Sequence, residues 1–324
     1  MRRPRRSLLA AIGSMALAGC LAGDDESLAN DSRPDDDLTP LPDDDRTLPP
    51  PGTDPDGYPD YDVDRLVAFD EIDPAETAIC LEPSAASITE SERLTFTLSN
   101  ESDSGFTHNP YRWSLHKRVD GRWYYVAPRG INEPAHTLEP GDSFAWDLTV
   151  DNDGIEDGRS TGGHGVAEPD PIAGLGGGEY AFGTDGDFDD GPAEGSVGFC
   201  ARFELEADSL SLTTTDAITS IEWEDDLLVA SSDRVAPEGD DARLGAYELV
   251  RTNDDVAGTE LIGETLLRND QLRDAVALAR EYDADRVRLE EYDAWTPIFG
   301  IDDTRYYHYD GETYAVSTRV LDTD

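Results

Sequence analysis

The side chains of this 324-residue chain that could do chemistry are its carboxylates, five histidines and three cysteines. Asp185, Asp187, Asp189 and Asp190 lie close together, and Asp151, Asp153 and Glu156 form a second acidic group. Oxygen ligands at alternate positions suit Ca²⁺, but an EF-hand loop starting at Asp185 would need Gly at its sixth place and Glu at its twelfth. The chain has Asp190 and Ser196 there. His108, His116, His136, His164 and His308 include no pair at i, i+4 and no partnering Cys pair, so no metal site is expected. Ser196 lacks the spacing of a serine elbow, and residues 174–178 have no following Lys-Ser or Lys-Thr to make a phosphate loop. Carboxylate pairs for glycoside hydrolysis are numerous and none stands out. The expectation is no catalytic residue, no cofactor and a binding role.

The elements that must position such a binding surface read as mostly β from 61 to 207. Short alternating runs, such as Leu94-Thr95-Phe96-Thr97-Leu98 and Phe144-Ala145-Trp146-Asp147-Leu148, are separated by Gly, Pro and Asn clusters. Residues 112–127 predict a hairpin turning at Asp120-Gly121, with two competing registers. A two-residue turn pairs Val119 with Arg122 and puts Trp113, Leu115, Tyr124 and Val126 on one face. A three-residue loop pairs Arg118 with Arg122 and gathers Trp113, Leu115, Trp123 and Tyr125 inside, the cleaner division of apolar from polar and the preferred one. A slip of one residue would expose Trp123 and Tyr125 beside His116 and Arg118. Trp113, Trp123, Tyr124 and Tyr125 are the candidate binding surface, because aromatic rings give much contact area at little entropic cost. Packing inside the sheet competes with that role.

From 208 to 324 the rhythm changes to a small α+β unit. Strand-like runs precede a helix opened by Asn269 as N-cap, with Leu272, Ala275, Val276, Ala279 and Tyr282 at helical spacing and Arg273, Asp274, Arg280 and Glu281 on other faces. A second hairpin is expected to turn at Asp310-Gly311, its tyrosines packing within the strands.

Charge bounds the partners. With 72 acidic and 25 basic residues the formal net charge is −47, which excludes gripping a nucleic-acid backbone or an anionic membrane surface. The acids recur along the whole chain and the only lysine is Lys117. Such a chain repels itself at low salt; at molar salt the Debye length is about 3 Å and the repulsion is screened. This composition resembles proteins of extreme halophiles. Residues 1–19 have the layout of an export signal: four Arg, an apolar run and a small-residue exit. Arg5-Arg6-Ser7-Leu8-Leu9 resembles the twin-arginine pattern, and Leu17-Ala18-Gly19-Cys20 resembles a lipobox, which implies lipidation of Cys20. The apolar run is about 15 residues, short of the roughly 20 needed to cross a bilayer. Residues 24–60 hold 13 acids and 8 prolines, a composition that stays extended as a stalk.

The Leu138-Glu139-Pro140-Gly141 turn and the strand opening Gly178-Glu179-Tyr180-Ala181-Phe182, with the hairpin at Asp120-Gly121, resemble the bacterial immunoglobulin-like domains of cell-surface proteins. The resemblance covers residues 75–206, departs from a compact domain in the Gly- and Asp-rich insertion at 151–178, and implies a surface β-sandwich without a reaction. In that extracellular setting Cys80 and Cys200, near the two ends of the domain, suggest a disulfide.

The chain as a whole therefore resembles a haloarchaeal twin-arginine-exported lipoprotein. Its expected parts are an export signal (1–19), a lipidated Cys20 with stalk (20–60), an immunoglobulin-like β-sandwich (61–207) and an α+β domain (208–324). The expected role is non-catalytic recognition on the extracellular face of the cell membrane, with an envelope protein or glycan as partner. The alternatives are a proteinase-inhibitor-like or carbohydrate-binding sandwich and, behind them, a hydrolase.

Overall fold

The computed structural model describes residues 47–48, 57–130, 134–161, 171–189, 192–236 and 242–321. Arg5, Arg6, Cys20, His164, Asp190 and most of the expected stalk lie outside the described residues. The fold is mostly β, as the sequence indicates: among the described residues, eighteen strands form three sheets.

Strand Arg93–Asn100 shows how the sandwich arises. Leu94, Phe96 and Leu98 are fully buried while the residues between them face the other way, the period of a strand with one apolar face. It pairs antiparallel with Ile79–Pro83 and with Ser143–Thr149 to make a three-stranded sheet. Opposite lies an eight-stranded sheet built around the antiparallel pair Gly178–Phe188 and Val197–Glu206, whose Tyr180, Phe182, Phe199 and Phe203 enter the same core. Phe96 and Phe182 stack across the gap, centroids 4.2 Å apart, so the inner faces of the two sheets meet there. The fold begins before residue 61: Leu48 belongs to this core, and Tyr58 packs with Ala68 and Cys200.

The hairpin of Ser114–Val119 and Arg122–Ala127 takes the two-residue register, not the preferred three-residue one. Asp120 and Gly121 both have positive φ (50° and 80°), as a type I′ turn requires, and Val119 pairs with Arg122. Tyr124 and Val126 therefore turn to the core. Trp123 and Tyr125 lie on the opposite face, beside Arg118 and His116.

The C-terminal seven-stranded sheet runs, edge to edge, Ile218–Glu224, Leu227–Ser232, Arg286–Asp293, Arg243–Thr252, Glu312–Val320, Arg305–Tyr309, Thr259–Glu260. Helix α1 spans Gly263–Leu267 and helix α2 spans Asp270–Glu281. Asn269 caps α2 as expected, its Oδ1 accepting from Leu272 N at 3.2 Å. Leu272, Ala275, Val276 and Ala279 pack on Leu228, Leu249, Val287 and Leu289 of the sheet. Tyr282 falls one residue past the helix and is partly exposed. The hairpin at Asp310-Gly311 is a second type I′ turn, with φ of 51° and 80°.

Among the described residues no strand of one half pairs with a strand of the other, yet residues 45–324 form one compact unit. The seam explains why. Arg273 and Asp274, expected on faces of α2 other than its apolar stripe, are fully buried because residues 155–159 and 213–215 cover that side. Arg273 donates to the carbonyls of Thr213, Arg159 and Ile155 at 2.7–2.9 Å. Arg268 donates to Ala173 and Gly174 carbonyls at 2.6 and 2.7 Å. The sole lysine, Lys117, is buried against Glu264 of α1 at 2.5 Å, and the same Glu264 Oε1 accepts from Gly176 N. Gly158, at φ 94°, lies so close to Asp216 that a Cβ would stand 2.5 Å from its backbone nitrogen.

Candidate functional site

The four aromatic residues chosen from the sequence do not form one surface. Trp113 stacks on Phe182 with planes 15° apart, and Tyr124 packs against the sandwich core. Trp123 lies under the Arg118 guanidinium at 5.7 Å. Tyr125 is 46% exposed, but its hydroxyl is tied to the Pro128 carbonyl. The expected Cys80–Cys200 bridge is not formed in the structure. The two buried cysteines sit on strands of different sheets, and each alternates with core residues, Ile79 and Leu81 beside Cys80, Phe199 and Ala201 beside Cys200. Both therefore project away from the space between the sheets.

One carboxylate of each acidic group is engaged by a basic side chain. Asp185 pairs with Arg112 at 3.3 Å, and Asp151 pairs with Arg159 at 3.5 Å. Among the described residues no set of three or more His, Cys, Asp or Glu side chains could hold a metal ion. Ser196 is locked in its turn by Asp64. His108 lies buried between Phe144, Trp146 and His136, with neither ring nitrogen hydrogen-bonded, and burial with His136 nearby pushes its pKa down to about 4.

A cavity of about 450 Å³ opens instead in the C-terminal half, where α2 begins and strand Arg286–Asp293 ends. Its floor is polar: Arg234, Gln271 and Glu291, with Asn269 at the helix start and Asp293 at the strand end. One wall is Tyr247 and Tyr307, from adjacent parts of the sheet, and the other is the connection carrying Trp295 and Phe299, with Arg305 at the rim.

That connection is held rigidly. Asp293 Oδ2 accepts from Phe299 N at 2.5 Å, Arg243 donates to the Trp295 carbonyl and to Thr296 Oγ1, and Thr318 Oγ1 donates to the Ile298 and Ile301 carbonyls. It presses on Gly245, where a Cβ would come within 2.4 Å of Ile298 Cδ1. Phe299 itself has φ 54° and ψ 15°, a left-handed conformation that a bulky residue adopts only when its surroundings impose it. Trp295, its backbone pinned, keeps its ring 66% exposed at the mouth.

Arg234 organises the floor. It bonds Glu291 and Asp274, lies 3.6 Å from Asp270, and donates to Thr215 Oγ1; Gln271 Nε2 donates to the other Glu291 oxygen at 2.8 Å. Burial raises the Glu291 and Asp274 carboxyls, and Arg234 opposes the rise in both. Tyr247 differs from all of these. It is 2% exposed and its hydroxyl has no hydrogen-bond partner; burial raises its pKa well above the usual tyrosine value. An unpaired buried hydroxyl costs free energy; the Tyr247 side chain lines the cavity, but its oxygen has essentially no accessible surface there.

The sequence places Tyr247 and Tyr307 in strands and gives no signal for Arg234, Glu291 and Trp295. These residues converge from three strands and two connections between positions 234 and 307, and no spacing rule links them.

No family model matches the chain, and no curated protein matches it. Among solved structures, the chain is similar over 40% of its length to 31% of the alkylpurine DNA glycosylase AlkC of Pseudomonas fluorescens bound to DNA containing an abasic site analogue, at 13% identity and TM-score 0.22. It is similar over 40% of its length to 50% of Spo0M, a sporulation control protein of Bacillus subtilis, at 14% identity and TM-score 0.19. The chain thus spans half or less of each of these two proteins.

Proposed function

We propose that this is a lipid-anchored protein on the extracellular face of a halophile's cell membrane, and that it performs non-catalytic recognition through the cavity bordered by Trp295 and Tyr247. The anchoring part rests on the twin-arginine pattern at Arg5-Arg6, the lipobox ending at Cys20 and the net charge of −47. The immunoglobulin-like reading of the first sandwich rests on its turn and strand motifs and makes that half a support for the second. The observation that carries the recognition role is the cavity itself: rigidly built, aromatic at the mouth, and bordered by a hydroxyl without a partner. Binding is favoured over hydrolysis because the floor carboxylate Glu291 is held by both Arg234 and Gln271, not poised toward open space.

Capture from a detergent extract of native envelope in molar salt tests this. The full chain should retain envelope material, and Trp295→Ala should release most of it. Retention indifferent to Trp295→Ala, or none by a demonstrably folded chain, overturns the cavity reading. The anchor is tested separately by Cys20→Ser, which should free the protein from membranes.

A further inference from the structure

We propose that the cavity is a subsite for one neutral polyhydroxylated ring, a hexose-type unit of an envelope glycan. This rests on the recognition role proposed above and names the ligand class. Three features of the site select it.

The first is charge. The chain carries −47, yet the charged side chains lining the cavity balance: Arg234 and Arg305 against Glu291 and Asp293. Of these, Arg234 and Glu291 are paired to each other and Asp293 is spent on the Phe299 amide. Arg305 donates to the Gly300 carbonyl, and Asp270 and Asp274 stand buried behind Arg234. No excess positive charge is therefore left to recruit a phosphate or a carboxylate, and the surplus carboxylates are not offered to an ammonium group. In molar salt, moreover, ion pairing with a partly exposed ligand is screened within about 3 Å, so stacking and hydrogen bonds must supply the affinity.

The second is shape. A volume of about 450 Å³ is within the usual range for small-ligand sites and admits one or two sugar rings. The exposed Trp295 ring offers a flat apolar face at the mouth, with Phe299 and Tyr307 behind it. The C–H face of a pyranose stacks on such a surface while its hydroxyls point to the polar floor.

The third is the orphan hydroxyl. Tyr247 Oη has no partner and essentially no accessible surface in the empty fold, so a side-chain shift on binding must open it. It then donates to one ligand hydroxyl and accepts from another, which a sugar supplies in one ring and a hydrocarbon does not. Because the group is buried without a partner in the empty fold, a bond formed on binding recovers a cost already present.

Ligand-observed NMR and titration calorimetry on the detergent-solubilised full chain in molar KCl test the assignment. The probes are glucose, galactose and mannose with their neutral disaccharides, against glucuronate and glucosamine as charged counterparts. At least one neutral sugar should bind and displace captured envelope material. Both charged analogues should bind at least about ten-fold more weakly, and the affinity should change little as KCl is varied in the molar range. Tyr247→Phe should weaken the neutral sugar about five-fold, the value of one hydrogen bond, and Trp295→Ala by ten-fold or more. Neither substitution should lower the melting temperature, since one is isosteric and the other is at the surface. Failure of every neutral sugar to bind or displace, tighter binding of a charged analogue, or indifference to both substitutions overturns the proposal. If envelope material is still retained through Trp295 when neutral sugars fail, the ligand class falls and the recognition role stands.

Discussion

The seam between the two halves and the cavity a few residues away are made of the same side-chain types, buried Arg and carboxylate, and they end in different states. At the seam, Lys117, Arg268 and Arg273 aim their N–H groups at carbonyls of the 151–178 insertion and at Glu264, in distances of 2.5–3.1 Å. In the cavity, Arg234, Gln271 and Glu291 satisfy one another, but Tyr247 Oη is left over and Trp295 stands in solvent. A buried polar group that is fully paired fixes the fold. One that is unpaired costs the fold something. Substitutions at the seam should therefore lower stability, and substitutions at Tyr247 and Trp295 should leave it alone.

The largest loss is expected from Arg273→Met, which removes the guanidinium from the Thr213 and Arg159 carbonyls, while Ile155 keeps Gly158 N and Thr213 Oγ1 as donors. Urea unfolding in molar salt should show about 3–5 kcal/mol lost at an unchanged slope. A loss under about 1 kcal/mol would mean that water enters the seam and that the two halves are less tightly joined than their hydrogen bonds imply.

Lys117→Met should cost about 3 kcal/mol, because Glu264 is left as a buried charge without its partner. The double replacement Lys117→Met with Glu264→Leu sharpens the point. Exchanging both members of a buried pair for apolar residues is close to neutral, so the double variant should recover all but about 1 kcal/mol, the cost of stranding the Gly176 amide. If the double variant is no better than the single, the pair contributes more than mutual neutralisation.

His108 breaks the simple form of the comparison, since it too is buried and unpaired but sits in a filled core. Its pKa is lowered from 6.5 to about 4, so on acidification the unfolded chain takes up the proton before the folded one does. Stability from this group is complete above pH 6.5 and is lost as pH falls towards 4, at up to about 1.4 kcal/mol per pH unit. His116, also lowered to about 4 by burial, adds a slope of the same sign, while Asp274 and Glu291, raised by burial, contribute the opposite sign. Phe at position 108 would join Phe106, Phe144 and Trp146. The difference between wild type and His108→Phe across that window isolates this one group, and equal slopes would show that its ring is solvated.

How much of this was legible follows from where each interaction lies along the chain. Local chemistry reads directly: Leu94, Phe96 and Leu98 alternate, Asn269 caps α2, and Asp310-Gly311 turns a hairpin. The register at Asp120-Gly121 was misjudged because segregating polar from apolar residues favoured one loop while two adjacent positive φ values favour another. Arg273 and Asp274 read only as lying off the apolar stripe, since nothing in α2 itself says that the Gly-rich insertion over a hundred residues earlier will cover them. The cavity was invisible for the same reason: Trp295 and Tyr247 gain meaning only when strand order brings their segments together.

The smallest expected effect carries the most weight for that distinction. Tyr247→Phe deletes one oxygen and keeps the ring, including its edge contact with Phe299 at 5.8 Å. Had the hydroxyl been paired in the fold, its removal would cost about 1 kcal/mol. As it is unpaired, the substitution removes a desolvated polar atom and should leave stability unchanged or raise it by up to about 1 kcal/mol. The same urea titration that registers Arg273→Met should detect this difference in sign. A clear destabilisation would show that the hydroxyl is already paired in the fold, and the gain assigned to Tyr247 in binding would shrink accordingly.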